Sequence, residues 1–282
     1  MRRISVSAAL SAYLALAGCI KDTRTIKLNA DGSGTIVVTS TMKAAALQQI
    51  RGMARAFGAP EGKSPEMFSE EQARAKAGKM GDGVELVSFE KIRTEAEEGM
   101  KAVYSFKDIT KLRISDEPEA PEAPGGMPGA ARPAKKDPIT FKYVRTPGGN
   151  SVLTVVSPGG KEIREALKEE APEKDKEKEK EDEEEPEETQ LSAMKEVLGG
   201  LKLSIQIEIP GRIVKTNTPH VSGSTVTLLE VDLDQMLGDM ARFKKLAKAN
   251  PRSLEEARKL AAGIPGMKAC PDPELTIEFA PD

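Results

Sequence analysis

The chain contains no tryptophan and few other aromatic residues, which limits how much of it can be buried. Of its 282 residues, 4% are aromatic and 38% are hydrophobic, and the second figure is low for a fully packed globular chain. We therefore expect part of the length to lie in segments that form no core. The length itself allows one large domain or two small ones.

Histidine and cysteine are almost as scarce. His220 is the only histidine, so a serine or cysteine triad, and nearly any transition-metal site, would have to use it. Cys270 precedes Pro271 and has no neighbouring histidine in the sequence to activate its thiol. If Cys19 is acylated, the two cysteines cannot pair. The sequence predicts no disulfide framework, no cofactor, no metal site and no catalytic residue, hence a protein that is not an enzyme.

Long apolar runs are also missing, and charge is unevenly spread. No segment after the first residues reaches the ~18 consecutive apolar residues that a membrane-spanning helix needs. Residues 169–188 contain thirteen acidic and four basic side chains, which is typical of a solvated linker. The proline-, glycine- and alanine-rich residues 116–138 predict a second disordered insertion. The remaining positive charge is mild and diffuse, so no nucleic-acid partner is predicted.

The first nineteen residues have the three parts of a lipoprotein signal. The positive Met1–Arg3 precedes a mostly apolar run of about a dozen residues, which is too short for a permanent transmembrane helix. Leu16, Ala17, Gly18 and Cys19 then form a lipobox, in which small residues fit the signal-peptidase groove and the cysteine thiol accepts the lipid. The sequence predicts cleavage before Cys19 and a lipid anchor on it. The alternative is an ordinary signal peptide followed by a chance cysteine.

The anchor implies a location and one partner. Each buried methylene of a lipid chain contributes roughly 0.8 kcal/mol, so two or three chains hold a protein firmly to a membrane. Ile20 occupies the position where an aspartate favours inner-membrane retention in enteric bacteria. We therefore expect a protein anchored to the cell membrane through its lipid, with the outer membrane favoured if the organism has two. An envelope protein partner is left open.

Apolar periodicity and turn residues predict the elements of the mature chain. Asp31-Gly32 lies in the turn of a first hairpin, Thr41 caps a helix that ends near Gly58, and Ser69 caps a second helix that Gly78 ends. Leu201–Ile209 alternates apolar and polar residues without error and is the clearest strand. Further strands are predicted at 84–89, 101–106, 139–145, 151–156, 225–229 and 275–279, and further helices at 189–198, from Leu233 to Phe243 and from Ser253.

Together these elements predict an α+β fold, with antiparallel hairpins and several amphipathic helices interrupted by the two disordered insertions. The predicted organisation is a signal peptide at 1–18, an anchor and amino-terminal α+β part at 19–115, a disordered loop at 116–138, a hairpin and short helix at 139–168, an acidic linker at 169–188, and a carboxy-terminal α+β part at 189–282. This last part is expected to share the sheet of the amino-terminal part.

Two stretches resemble a known family. Residues 26–35 contain Asp31-Gly32-Ser33-Gly34 soon after the cysteine. Residues 207–217 combine a strand, Pro210-Gly211 and a later Asn217, and are followed by the strand-forming 221–227. Both resemble the LppM-type envelope lipoprotein domain. The resemblance implies a surface-exposed α/β module without established enzymatic activity. Such chains commonly continue into a transmembrane helix, whereas here further soluble elements follow.

Motifs for other chemistry fail on inspection. Residues 58–64 contain Gly-Lys-Ser, but Phe57 stands where a phosphate loop needs its first glycine. Around Asp31, the first and twelfth positions of a calcium loop would be Lys27 and Val38, which cannot serve. We therefore predict a non-enzymatic envelope lipoprotein with a binding or structural role. The alternatives are a hydrolase of a wall or surface polymer with two carboxylates in a cleft, and a lipid carrier with an apolar cavity.

Overall fold

The structure is a computed structural model that describes residues 20–56, 67–115, 137–146, 149–157, 199–239, 256, 263–270 and 272–281. Within this part of the chain, the strands form two sheets. The larger is ordered β11-β10-β7-β1-β2-β4-β3, with β9 paired to β10, and the smaller is ordered β5-β6-β12-β8. All neighbouring strands are antiparallel except β1 and β7, which run parallel.

The strand bounds are as follows. The larger sheet contains β1 (Ile20–Leu28), β2 (Gly34–Lys43), β3 (Glu85–Arg93), β4 (Glu97–Phe106), β7 (Lys202–Glu208), β9 (Val221–Ser222), β10 (Thr225–Asp232) and β11 (Met267–Ala269). The smaller contains β5 (Thr140–Arg145), β6 (Ser151–Val156), β8 (Arg212–Thr216) and β12 (Glu274–Ala280). The described helices are α1 (Ala44–Ala56), α2 (Glu70–Met80) and the short α3 (Leu233–Gly238), with a 3-10 turn at Ile109–Lys111.

The first hairpin forms where the sequence predicts it. β1 and β2 pair along their whole lengths, from Ile20 opposite Met42 to Leu28 opposite Gly34. At the turn, Gly32 has a φ of 89°, which glycine adopts at no steric cost. The Asp31 carboxylate accepts bonds from the Ser33 amide (2.9 Å) and hydroxyl (2.6 Å). These hydrogen bonds lower the pKa of Asp31, because they stabilise its charged form.

The two sheets share one hydrophobic core. The larger sheet contributes residues such as Ile26, Ile36 and Ala102, and the smaller contributes Leu153 and Ile277, all fully buried. A second, smaller cluster lies at the beginning of β1; it comprises Ile20, Met42, Ala46 and Leu47, with Met67, Phe68 and Leu201 packed against it. Burial of one face of each sheet against the other therefore supplies the main packing energy.

The predicted fold class is wrong. The described chain is mostly β, with two packed sheets and only three short helices, so it is not an α+β fold rich in amphipathic helices. The reason is that several strands are longer than their apolar pattern indicates. The hairpin pattern predicts a first strand at Thr25–Leu28, whereas β1 starts five residues earlier, at Ile20, and pairs with β2 from there. β2 runs on to Lys43, so Thr41 lies in a strand and caps no helix.

Several individual elements are confirmed. Helices α1 and α2 form, and the Ser69 hydroxyl accepts a bond from the Gln72 amide at 3.2 Å as the capping pattern predicts. Helix α2 passes through Gly78 and ends at Met80. The strand predicted at Leu201–Ile209 is β7. The helix predicted at 189–198, most of 116–138 and all of 169–188 lie outside the described residues, and of the helix predicted from Ser253 the structure describes its first turns only at Glu256, which is helical.

Helix α1 is held to the sheet by a half-buried ion pair. Arg51 donates two hydrogen bonds to the carboxylate of Glu98 on β4, at 3.2 and 2.9 Å. These bonds lower the pKa of Glu98 from its ordinary 4.5 and raise the pKa of Arg51. Because the pKa of Glu98 is lower in the folded state than in the unfolded state, the ion pair contributes to the stability of the fold above pH 4.5. This contribution is lost as the pH falls through the pKa of the folded state.

We expect Glu98→Gln to lower the free energy of unfolding by about 1 kcal/mol at pH 7, as a partly exposed charge-assisted pair would. The difference from wild type should shrink as the pH falls below 4.5 and vanish once Glu98 is protonated in both states. Urea unfolding at a series of pH values measures this. The matched control is Glu85→Gln on the exposed side of β3, and a constant difference at all pH values would contradict the prediction.

Candidate functional site

The lipobox residues Leu16, Ala17, Gly18 and Cys19 lie outside the described part of the chain, but the residue that follows them does not. Ile20 is buried and is the first residue of β1. β1 occupies the middle of the larger sheet, with β2 on one side and β7 on the other. The predicted anchor therefore connects to a central strand without a linker.

The Ile20 end of the sheet combines apolar packing with ion pairs. Beside the smaller hydrophobic cluster, Lys21 contacts Glu97 on β4 at 2.5 Å, and Lys202 on β7 contacts Asp232 at 3.3 Å. The bond from Lys21 lowers the pKa of Glu97. Because every partner belongs to a different strand, these pairs connect the strand ends next to the predicted anchor across the sheet.

A buried ion pair follows two residues further along β1. Asp22 and Arg24 lie on the inner face of the strand, where they alternate with outward-facing Lys21, Thr23 and Thr25. Nε of Arg24 donates to Oδ1 of Asp22 at 2.7 Å, and the two side chains are only 9% and 4% exposed. Charges this deeply buried are found almost only in pairs. Along β1, the pair lies between the smaller hydrophobic cluster at Ile20 and the main core at Ile26.

Neighbouring strands and one connecting segment complete the surroundings of this pair. In the β1–β2 register, Asp22 lies opposite the buried Ser40 and Arg24 lies opposite Val38. Nη1 of Arg24 also donates to the backbone carbonyl of Ser115. Arg24 therefore fastens the segment that leaves the 3-10 turn onto the inner face of the sheet.

A cavity of about 60 Å³ opens beside the Asp22–Arg24 pair. Its walls combine apolar side chains with charged ones. The lining residues are Asp22, Arg24, Ile36, Val38, Lys76, Lys79, Met80, Arg113, Ile114 and Ser115. Among these described residues four are cationic and one is anionic, which gives them an excess of three positive charges. We call this cavity with its lining the basic pocket.

The end of α2 brings two lysines to the basic pocket. Ala73 and Ala77 on the buried face of the helix pack into the core, which fixes its rotation and places Lys76 and Lys79 towards the pocket. The Arg113 amide donates to the carbonyl of Met80 at 2.8 Å. The last turn of α2 is thereby joined to the strand-like segment that contains Arg113.

The chemically reactive residues singled out in the sequence lie elsewhere. His220 is half-buried beside β11; burial lowers its pKa, and its bond to the backbone of Ala269 acts in the opposite direction. Cys270 is partly exposed, with Sγ 4.0 Å from Oδ2 of Asp272. Neither residue lines the basic pocket. Residues 58–64 lie outside the described chain.

The residues of the basic pocket were not predicted from the sequence. For Asp22 and Arg24 the sequence offers one signal. The two charged residues stand two positions apart, which matches the spacing of residues on one face of a strand. No sequence signal groups Arg113 with the two lysines of α2, because more than thirty residues separate it from them. Within the described ranges, no helix is long and apolar enough to cross a membrane, and no three potential metal-ligating side chains come together.

Comparisons with known proteins add little to this geometry. No family model matches the chain, and no curated protein matches it. Among solved structures, the NMR structure of the folded domain of the Mycobacterium tuberculosis LppM protein is similar at 8% identity, covering 93% of this chain and 90% of that one. The TM-score is 0.32, so the likeness is weak, concerns the fold alone and supports no statement about ligand or activity.

Proposed function

We propose that this chain is a bacterial envelope lipoprotein that is anchored through Cys19 and has a non-enzymatic binding role. The observation that carries the proposal is the position of β1. A lipobox ends at Cys19, and the central strand of the larger sheet begins at Ile20. A lipid on Cys19 would therefore hold the folded body directly against the membrane surface.

The length of an extended strand gives the distance along the chain between Cys19 and the residues of the basic pocket. A strand advances about 3.3 Å per residue, so Asp22 lies about 10 Å along the chain from Cys19 and Arg24 about 16 Å. The headgroup regions of both leaflets together add roughly 10–15 Å to the ~30 Å hydrocarbon core of a bilayer, so each is roughly 5–8 Å thick. The basic pocket would thus lie near the headgroups of the membrane that holds the lipid.

The contents of the basic pocket favour a binding role over hydrolysis. A glycosidase-like site needs two carboxylates about 5–10 Å apart in a cleft. Among the residues that the structure describes, the pocket contains one carboxylate, Asp22, and Arg24 already binds it at 2.7 Å. A lipid carrier is less well supported, because cavities for whole small molecules measure roughly 300–1,000 Å³, while the pocket measures about 60 Å³.

The anchor is tested by metabolic labelling with a palmitate analogue in a bacterial host. We expect wild type to be labelled and to fractionate with membranes, because the thiol of Cys19 is the acyl acceptor. Cys19→Ala should lose the label and remain an uncut precursor of higher mass. In a host with two membranes, density-gradient fractions should place the labelled protein with the outer membrane.

The matched control is Cys270→Ala, which removes the other thiol of the chain and should leave labelling unchanged. Label retained by Cys19→Ala and lost by Cys270→Ala would overturn the anchor. Label retained by both variants would show attachment through another group and would overturn it equally.

A further inference from the structure

We propose that the basic pocket binds the phosphate group of an anionic ligand, with Lys79 and Arg113 as its two principal contacts. The inference rests on the binding role proposed above and names the chemistry that this role would use. The ligand chemistry is a phosphate group, whether it belongs to a lipid headgroup at the membrane surface or to a free phosphate.

The charges of the lining select an anion. Arg24 and Asp22 neutralise each other through a 2.7 Å bond, and the cations that carry the inference are Lys79 and Arg113. Lys79 and Arg113 are exposed on the rim, where an incoming ligand can reach them. Lysine and arginine form the strongest hydrogen bonds of proteins with phosphate oxygens, because both partners are charged.

The size of the pocket selects a small group. A water molecule needs about 10–15 Å³ of such volume, so the 60 Å³ available corresponds to roughly four waters. That space accommodates one phosphate group and excludes a sugar ring or an acyl chain. A larger ligand would therefore place only its phosphate in the pocket, with the rest outside.

The contacts of Arg113 hold it ready for a ligand. Its Nη1 donates to the carbonyls of Thr110 at 3.4 Å and Leu112 at 3.0 Å, and its backbone amide donates to the Met80 carbonyl. A guanidinium has five N–H donors, so these two bonds from Nη1 leave Nε and Nη2 for phosphate oxygens. The apolar walls formed by Ile36, Val38 and Ile114 lower the local dielectric constant, which strengthens attraction between the cations and an anion.

The test uses the full chain, inorganic phosphate as the probe and a constant ionic strength set with sodium chloride. We expect saturable binding to wild type in an NMR titration, with the largest shifts at Lys79, Arg113 and Ser115. Lys79→Gln combined with Arg113→Gln should weaken binding at least tenfold, because two charge-assisted contacts are lost. Glutamine removes the charge but keeps a polar side chain at both positions, and thermal unfolding of the variant verifies that it folds.

The matched control is Lys101→Gln, which removes an exposed lysine on the outer face of β4 and should leave the affinity unchanged. Absence of saturable binding to wild type would overturn the proposal, as would equal weakening by the control and the double variant. Equal affinity of the double variant and wild type would do the same.

A second titration distinguishes the two sources of phosphate. Dihexanoyl phosphatidylglycerol, used below the concentration at which it forms micelles, presents the same group within a headgroup. Tighter binding than inorganic phosphate would assign the pocket to headgroups, and weaker binding would assign it to free phosphate. All titrations are repeated on Cys19→Ala, since phosphate binding without lipidation would uphold the pocket even if the anchor failed.

Discussion

Replacing Arg24 by methionine is expected to lower the free energy of unfolding by about 3–5 kcal/mol. The change leaves the carboxylate of Asp22 buried without its partner, and an uncompensated buried charge is among the costliest defects in a protein. The Asp22 side chain is only 4% exposed, so water cannot replace the guanidinium. Urea unfolding, followed by far-UV circular dichroism because the chain lacks tryptophan, measures the loss.

The double variant Asp22→Leu with Arg24→Met separates the buried charge from the packing. Removing both charges leaves an apolar stripe that continues from Ile20 to Ile26 along the inner face of β1. Substitution of a complete buried ion pair by apolar residues is often neutral or stabilising. We therefore expect the double variant to recover most of the loss, and the double-mutant cycle gives the coupling energy between the two residues.

The matched control for Arg24 is a surface pair on the same strand. Lys27 contacts Glu208 at 3.1 Å, with side chains 52% and 43% exposed. Exposed pairs contribute roughly 0–1 kcal/mol, so Lys27→Met should change the free energy of unfolding by no more than about 1 kcal/mol. Equal effects of Arg24→Met and Lys27→Met would show that the inner pair is effectively solvated and would contradict its burial.

The second large effect is expected at Gly81, where Gly81→Ala should destabilise the protein by about 3 kcal/mol or more. Gly81 follows α2 with φ 136° and ψ 167°, a region that essentially only glycine occupies and that costs other residues about 1–3 kcal/mol. An added methyl group would also overlap the backbone carbonyl of Lys111. Overpacking of this kind adds about 1–3 kcal/mol.

Substitutions at two neighbouring glycines distinguish the cost of backbone strain from the cost of steric overlap. Gly83 has φ 78° but open space around an added Cβ, so Gly83→Ala should cost only the backbone strain of about 1–2 kcal/mol. Gly78 lies inside α2 with open space, so Gly78→Ala should stabilise by roughly 0.5–1 kcal/mol. Equal losses at Gly81 and Gly83 would contradict the close approach of the α2 end to Lys111. That approach also brings Lys79 near Arg113.

Local features of the fold were predictable from the sequence. The turn at Asp31-Gly32 and the alternation of Leu201–Ile209 depend on residues within a few positions of each other, and both elements form. The hairpin of β5 and β6 forms for the same reason. A hairpin needs only a suitable turn and two strands with matching apolar faces, so tertiary structure has little opportunity to override it.

The start of β1 and the arrangement of the sheets were not predictable in this way. Inward positions of a strand are normally apolar, so Asp22 and Arg24 obscured the first half of β1, and only their mutual neutralisation makes that half compatible with burial. The parallel pairing of Lys21–Lys27 with Lys202–Glu208 joins segments about 180 residues apart. No local pattern specifies such a distant partner. Because the lengths of the strands were underestimated, the predicted fold class was too rich in helices.

The basic pocket was not predictable from the sequence for the same reason, because its residues come from segments that are far apart in the chain. Its lysines are exposed or half-buried residues of a helix that has no unusual composition, and Arg113 follows a 3-10 turn. Each alone is an ordinary solvated cation. They become a candidate site only because Gly81 allows the end of α2 to approach Lys111 and because Arg24 holds Ser115 against the sheet.

If the chain is exported and cut before Cys19, as proposed above, the central position of β1 imposes an order on these events. β1 has partners on both edges, and the second partner, β7, follows about 180 residues later in the chain. A peptidase acting before Cys19 would need access to the chain beside Ile20, which is buried at the start of β1 in the finished sheet. Acylation and cleavage would then precede closure of the larger sheet. Because distant pairings form slowly, the late arrival of β7 would provide time for this processing.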